Sequence, residues 1–189
     1  MLLWLLGAIA SPSSAKEQPC TKREVAGVLR AAEHGSAPAQ NRLGDLYFGG
    51  LCVSKNYTEA ARWYRKSAEQ GNDLAQFHLG MMFSEGLDLP QDWGEAAHWF
   101  RLSAEQGNRQ SQFALGALYD NGRGVEKDPV LAYQWILLSG PGENHRSERV
   151  LQTMSRKMTS EQVKDAEERA RGWRTAPPGL STSAKQKFD

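Results

Sequence analysis

The chain has 189 residues, of which 40% are hydrophobic and 9% aromatic, enough to build the core of a globular protein. Its 23 basic and 22 acidic residues are interspersed and leave a net charge of +1. This balance excludes an extended electrostatic field that would steer nucleic acid or an anionic membrane, so neither is expected as a partner.

The N-terminal segment is typical of an export signal. An apolar run from Leu2 to Ala10 precedes small residues, among which Ser13 and Ala15 fit the −3 and −1 positions of a cleavage site. The run is shorter than the roughly 20 apolar residues that span a bilayer, so no membrane insertion is expected. The alternative is an apolar start to a cytosolic chain, because no Lys or Arg precedes the run. We expect residues 1–15 to be a signal peptide and the mature protein to be periplasmic or secreted.

Residues 39–144 contain three copies of one sequence pattern. Gly44, Gly80 and Gly116 recur every 36 residues, and alanines and tryptophans recur in the same register. Self-similarity of this kind predicts a solenoid of stacked units. The recurring tryptophans are Trp63, Trp99 and Trp135.

Each unit is predicted to be a pair of helices. The second helix of the first unit runs from about Thr58 to Gln70, and Gly44 on the first helix faces it, which lets the two backbones approach. The tryptophans are expected to fill the space between units. Trp99, in the central unit, is expected to be the most buried of them. One face of the first helix carries Ala39, Leu43 and Tyr47.

These units resemble the Sel-1-like repeat family, a solenoid relative of the tetratricopeptide repeat. The resemblance implies an all-α fold, a short right-handed α–α solenoid of three full 36-residue helix-pair repeats with helical caps at both ends. The family's second loop glycine is present as Gly124 but is replaced by Cys52 and Asp88 in the first two units, so those loops are expected to bend differently. The matching segments are the three Leu-Gly pairs at 43–44, 79–80 and 115–116, EAARWY, EAAHWF, SAEQG twice, and RGVEKD from Arg123.

Degraded copies of the repeat extend to both sides. In residues 16–38, Ala32 and Gly35 lie one period before Ala68 and Gly71, which predicts an orphan second helix as the N-terminal cap. Residues 145–175 are expected to form the C-terminal cap, which a solenoid needs to cover its apolar stacking face. The tail, residues 176–189, is expected to be disordered. Thr159 or Ser160 is the predicted N-cap of a helix whose apolar stripe is Val163, Ala166, Ala170 and Trp173.

Cys20 and Cys52 are the two cysteines, and a lone pair in an oxidising compartment usually forms a bridge. Cys20 lies one period before Asn56, and equivalent loops of stacked units lie side by side, so Cys20 is expected beside the loop of Cys52. Such a bridge would join the N-terminal cap to the first repeat. The alternative is two unpaired thiols in a reducing cytosol. The family's cysteine-rich members place their bridges within a repeat.

Catalysis and metal binding are not predicted. His78 and His98 lie on different helices of one repeat, but their counterparts in the other repeats are unrelated polar or small residues, as on an exposed surface, so no metal site is expected. Some exported, cysteine-rich family members have been described as β-lactamases, which makes a β-lactam or cell-wall hydrolase the alternative function. That chemistry needs S-x-x-K with SDN and KTG motifs. The chain has only Ser13 to Lys16, across the expected cleavage site, so neither catalytic residues nor cofactors are predicted.

The outer face of the first helices is the candidate binding surface, because in related solenoids this face lines the concave groove. Phenylalanine and methionine on a face expected to be wet favour recognition of a protein or peptide. The alternative is that Phe77 and Phe113 pack between adjacent first helices. The expected function is a monomeric, non-enzymatic scaffold or adaptor. Its candidate partner-binding residues are Asn41, Asp45, Phe48, Phe77, Met81, Ser84, Phe113 and Asp120, with Ala117 on the same face.

Overall fold

The computed structural model describes residues 21–141 and 145–175, and these ranges form nine α-helices without a strand. The expected signal peptide, Cys20 and the tail of residues 176–189 lie outside the described residues. None of the described helices is long and apolar enough to cross a membrane. The helices are α1 (Lys22–Glu33), α2 (Ala37–Gly49), α3 (Tyr57–Glu69), α4 (Asp73–Glu85), α5 (Trp93–Glu105), α6 (Arg109–Asn121), α7 (Pro129–Leu138), α8 (Arg146–Ser155) and α9 (Ser160–Thr175).

The helices pair in chain order and the pairs stack. The first unit is α2 with α3, the second is α4 with α5, and the third is α6 with α7. Consecutive units pack through α3 against α4 and through α5 against α6, while α1 covers α2 and both α8 and α9 cover α7. The all-α solenoid with helical caps that was predicted from the sequence is therefore confirmed.

The second helices begin at recurring side-chain caps. The side-chain oxygens of Asn56, Asp92 and Asp128 accept hydrogen bonds from backbone N–H groups one turn into α3, α5 and α7, at 2.8 to 3.0 Å. Asn72 and Asn108 cap α4 and α6 in the same way. These caps satisfy backbone donors that have no partner inside the helix, and so they fix where α3 to α7 start.

The loops inside the three units share one backbone shape, and the expectation that the first two would differ is wrong. Cys52 and Asp88 have φ angles of 63° and 51°, in the left-handed region occupied by Gly124 at 69°. Each loop also closes with a backbone hydrogen bond to the preceding helix, such as Asn56 N to Tyr47 O at 2.9 Å. This closure imposes the left-handed angle, so the non-glycine residues adopt it at a steric cost.

Glycine sets the distance between the paired helices, as predicted. A methyl group at Gly44 would lie 2.5 Å from ring carbons of Tyr64, and one at Gly80 would lie 2.8 Å from the ring of Phe100. The aromatic rings of α3 and α5 therefore fill the space that a side chain on α2 or α4 would need.

Both caps bury apolar side chains against the end repeats. Ala32 of α1 is buried in one cluster with Leu43, Leu46 and Trp63. On α9, the side chains of the predicted stripe pack against the core. Thr159 caps this helix, because its hydroxyl accepts from Gln162 N at 3.2 Å. The stripe consists of Ala166, Ala170 and Trp173, which are buried, and Val163, which is partly buried.

All three repeat tryptophans are buried, but the prediction that Trp99 is the most buried is wrong. Trp99 is 8% exposed, against 4% for Trp63 and 2% for Trp135. The indole N–H of Trp99 donates to the exposed carboxylate of Glu95 at 3.1 Å, which keeps that edge of the ring near solvent. Trp135 instead packs edge-on against Trp173, with ring centroids 5.0 Å apart. The caps therefore cover the outer tryptophans more completely than a neighbouring repeat covers the central one.

Buried glutamines link each repeat to the preceding second helix, a feature that the sequence analysis missed. The side-chain amides of Gln40, Gln76 and Gln112 each donate to a carbonyl of the preceding second helix at 3.1 Å. Gln70 and Gln106 donate in turn to the first two of these side chains. The counterpart in the third unit is Gly142, which has no side chain. In the described structure the Oε1 atom of Gln112 accordingly has no hydrogen-bond partner.

Candidate protein-binding groove

The structure places the candidate residues on the first helices of the three units. Four of them line a cavity of about 1140 Å³ between α4, α6 and α8, which we call the groove cavity. Asp120 lines an adjoining cavity of about 610 Å³ between the third unit and the C-terminal cap. Those on α2 line neither cavity. The four residues in the groove cavity are Phe77, Met81, Ser84 and Phe113, together with Ala117.

Phe77 and Phe113 contribute to the core and to the groove cavity at once. Both are partly exposed and pack against the core. The ring of Phe77 lies 5.9 Å from that of Phe100 on α5. The ring of Phe113 lies 4.3 Å from the guanidinium carbon of Arg146 on α8. Both rings are therefore held by neighbouring side chains and are still partly exposed in the cavity.

Two of the candidate residues on α2, Asn41 and Asp45, form a polar cluster with Tyr64 and His78. Asn41 is buried, and its amide lies 3.4 Å from Asp45 Oδ2 and 3.4 Å from the His78 ring. The Tyr64 hydroxyl donates to Asp45 Oδ1 at 2.9 Å. Phe48 packs edge-on against Tyr57, with centroids 5.2 Å apart. Partner binding by all eight candidate residues stays a prediction.

The polar cluster shifts the titration of two of its members. Burial raises the pKa of Tyr64, and the negative charge and hydrogen bond of Asp45 raise it further, so the phenol stays protonated. Burial also lowers the pKa of His78, against the opposing attraction of Asp45. The interpretation of the His78 position as exposed surface is wrong, because contacts with Asn41 on α2 and the ring of Tyr64 on α3 leave the His78 side chain only 25% exposed. His98 on α5 is exposed.

The lowered pKa of His78 predicts that acidification destabilises the fold. The unfolded chain takes up a proton near the ordinary histidine pKa of about 6.5, whereas the folded chain takes it up only at lower pH. The stabilising contribution is thus present above pH 6.5 and is lost as the pH falls through the folded-state pKa. We expect His78→Gln to lose less stability than the wild type between about pH 7 and pH 5. Urea unfolding at each pH measures this, with His98→Gln as control, and identical pH profiles for wild type and His78→Gln would contradict it.

Four arginines that the sequence analysis did not single out also line the groove cavity. Arg109 begins α6, Arg123 lies in the loop before α7, and Arg146 and Arg149 lie on α8. The guanidinium of Arg123 lies 4.9 Å from the ring centre of Trp93. A comparison of repeats does not reveal this set, because α8 has no counterpart in the repeats.

The residues considered for catalysis and disulfide formation fall partly outside the described ranges. Ser13, Lys16 and Cys20 are among these undescribed residues. Cys52 is exposed in the loop of the first unit. Across residues 21–141 and 145–175, no three His, Cys, Asp or Glu side chains group closely enough to hold a metal ion.

Stacked helix pairs with a concave, partly apolar cavity define an α–α solenoid of the repeat-scaffold class. Three segments of the chain, 37–72, 73–108 and 109–139, match the Sel1 repeat family, and each contains one of the observed helix pairs. The matched segments cover more than half of the chain, which therefore belongs to the Sel1 repeat family.

Two solved structures extend the comparison. A Sel1 repeat protein from Oxalobacter formigenes is 33% identical, with a TM-score of 0.63 over 69% of this chain and 98% of that one. A protective antigen present in uropathogenic Escherichia coli strains, which displays an SLR fold, is 30% identical. Its TM-score is 0.75 over 89% of this chain but 36% of its own length, so this chain spans about a third of that protein. No curated protein sequence matches the chain.

Proposed function

We propose that this Sel1 repeat protein is a non-enzymatic scaffold that binds a protein or peptide in the groove cavity. The observation that carries the proposal is the apolar lining of this cavity, to which the partly exposed side chains of Phe77, Met81 and Phe113 all contribute. Aromatic and apolar anchors in a concave site supply most of the affinity of protein interfaces. The cavity volume of about 1140 Å³ exceeds the range typical of small-molecule pockets and suits a peptide segment.

We also propose that the protein works in the bacterial envelope or outside the cell. The apolar run and small residues before Lys16 support export. An exported chain would carry Cys20 and Cys52 in an oxidising compartment, where we propose that they form a bridge between the N-terminal cap and the first unit.

Met81→Glu is expected to weaken partner binding strongly and leave the fold intact. Met81 is partly exposed in the groove cavity, so a carboxylate there contacts water in the free protein but removes an apolar anchor from the bound one. A photo-crosslinking amino acid at Ala117, which lines the same cavity, measures capture of the partner in the producing cell. The expected loss of crosslinked partner is about tenfold or more, as for a hot-spot residue.

Leu74→Glu is the matched control, because Leu74 is 46% exposed on the same helix and lies outside the groove cavity. This variant should retain both its fold and its crosslinked partner. An unfolded Met81→Glu protein would show that Met81 is a core residue. A folded Met81→Glu protein with undiminished crosslinking would remove the groove cavity from the proposed function.

Export predicts a mature protein that begins near Lys16 and holds both cysteines oxidised. Mass spectrometry of the protein from the envelope and secreted fractions, run without reductant, measures the N-terminus and the thiol state together. Reduction of the bridge should lower the free energy of unfolding by about 3 to 4 kcal/mol through chain entropy. An intact Met1 N-terminus on protein confined to the cytosol would contradict the location, and free thiols in exported protein would contradict the bridge.

A further inference from the structure

The groove cavity is strongly basic as well as apolar. Arg109, Arg123, Arg146 and Arg149 line it from three different elements, and no carboxylate lies among its described lining residues. Although the net charge of the whole chain is close to zero, positive charge is thus concentrated in the groove cavity. The cavity combines this charge with the phenylalanine and methionine side chains of α4 and α6.

Three of these arginines are held in place without a carboxylate. The guanidinium of Arg146 lies on the ring of Phe113, that of Arg123 lies on the ring of Trp93, and Arg109 Nε donates to Ser139 O at 2.7 Å. Among the described residues, none of the three belongs to an ion pair. Ring contacts orient a guanidinium but leave its in-plane N–H groups available for a planar anion. The charge of these three guanidinium groups is therefore held in place, and no carboxylate of the described residues pairs with it.

The adjoining cavity continues the same surface. It shares Arg146 and Arg149 with the groove cavity and adds Lys127 and Lys157. Its described lining includes a single carboxylate, that of Asp120. Positive side chains thus follow the concave side from the start of α6 to the turn before α9, a path suited to an extended chain.

We propose that the occupant of the groove cavity is an acidic peptide segment in which Asp or Glu alternates with aromatic or aliphatic residues. This inference rests on the proposed function and specifies its partner. Carboxylates match the guanidinium fork in bidentate pairs, and apolar side chains match the surface formed by Phe77, Met81 and Phe113. A charge-complementary peptide also gains in rate of association and in selectivity.

The chain's own tail does not fit this description. Residues 176–189 contain two lysines, Lys185 and Lys187, and a single acidic side chain, Asp189. Their charge has the wrong sign for a cavity lined by arginines. Residues 176–189 are therefore not the acidic segment, which we assign to a separate partner.

Fluorescence anisotropy on the purified full chain tests the inference with three labelled peptides of equal length. Each peptide alternates the same Phe and Leu residues with one polar residue type. This residue is Glu in the first peptide, Gln in the second and Lys in the third. The Glu peptide should bind about tenfold or more tightly than the Gln peptide, because each charge-assisted hydrogen bond contributes more than a neutral one. The Lys peptide should not bind. Added salt should weaken binding of the Glu peptide by screening the charges.

Two substitutions locate the contacts. Arg123→Gln and Arg146→Gln should each lower the affinity for the Glu peptide about tenfold. The melting temperature should stay nearly unchanged, because both side chains are exposed. Arg146→Lys should restore part of the affinity, since it keeps the charge and loses the planar fork. Arg42→Gln is the matched control, because Arg42 is an exposed arginine on α2 outside both cavities.

The outcomes separate this inference from the proposed function. Equal affinity for the Glu and Gln peptides would contradict the proposal of an acidic segment but would still agree with binding of a peptide in the groove cavity. If a phosphopeptide or a single-stranded RNA bound more tightly than the Glu peptide, the proposal that the partner is an acidic peptide would be wrong. Absence of binding by all three peptides would also overturn the inference, whereas the proposed function fails only if Met81→Glu leaves partner crosslinking intact.

Discussion

Trp135→Ala is expected to lower the free energy of unfolding by about 3 to 5 kcal/mol, the usual cost of truncating a large core side chain. Trp135 is 2% exposed, the lowest value among the repeat tryptophans. Its ring lies 5.0 Å from that of Trp173 on α9, so the truncation opens a cavity between the third unit and the C-terminal cap. Urea unfolding followed by circular dichroism measures the loss. A decrease below about 1 kcal/mol would be typical of a surface position and would contradict the packing.

A double-mutant cycle tests whether the two tryptophans act on each other. Trp173→Ala alone is expected to be destabilising because Trp173 is also buried. The combined variant should lose less than the sum of the two single losses, with a coupling of about 0.5 to 1.5 kcal/mol for an edge-on aromatic pair. Strictly additive losses would show that α9 does not cover the third unit through this contact.

The repeat pattern made the fold predictable because the recurring residues determine backbone geometry. Gly44 and Gly80 are required where two helices approach, and Gly71 at φ 88° ends a second helix. Such positions permit few residues, so they recur visibly in the sequence. The caps were predictable for the same reason, since the periodic alanines of α1 and α9 continue the packing of the repeats.

Positions that depend on the whole assembly could not be predicted from the same pattern. The sequence places Trp99 at the centre of the stack, but burial depends on the neighbours of each ring. Trp135 packs against Trp173 of α9. Trp63 lies in one cluster with Ala32 of α1, and the cationic groups of Arg62 and Lys66 lie over its ring. The left-handed angles at Cys52 and Asp88 were unexpected, because loop closure overrides the preference of the residue. His78 likewise acquires its partly buried environment from Asn41 and Asp45, which lie on another repeat.

The candidate site was predictable only in its apolar part. Phe77 and Phe113 occupy the same position of the repeat and Met81 follows Phe77 by four residues, so helical periodicity places them on corresponding faces of α4 and α6. Arg146 comes from α8, outside the repeat, and reaches the cavity only through the packing of the cap on α7. The chemical character of the groove cavity therefore became evident only from the assembled structure.

Gly116→Ala is expected to cost about 3 kcal/mol or more, at the upper end of overpacking penalties. A methyl group at Gly116 would lie 2.6 Å from Ile136 Cγ1, 2.9 Å from Ala132 O and 3.1 Å from Ile136 N. Two of these three atoms belong to the backbone of α7, so no side-chain rotation relieves the overlap. In Gly80→Ala the nearest atoms are ring carbons of Phe100, which can tilt, and the loss should be smaller.

Gly27→Ala is the control that separates packing from helix propensity. Gly27 lies on α1, and a methyl group there would meet nothing within 4 Å. Replacing a helical glycine in open space should stabilise the protein by about 0.5 to 1 kcal/mol. Replacement of glycine by alanine is therefore expected to lower the free energy of unfolding at Gly116 and to raise it at Gly27. Urea unfolding of both variants measures the two changes. A gain or a negligible change at Gly116 would mean that α6 and α7 lie farther apart than in this structure, because only close backbone contact makes the added methyl group costly.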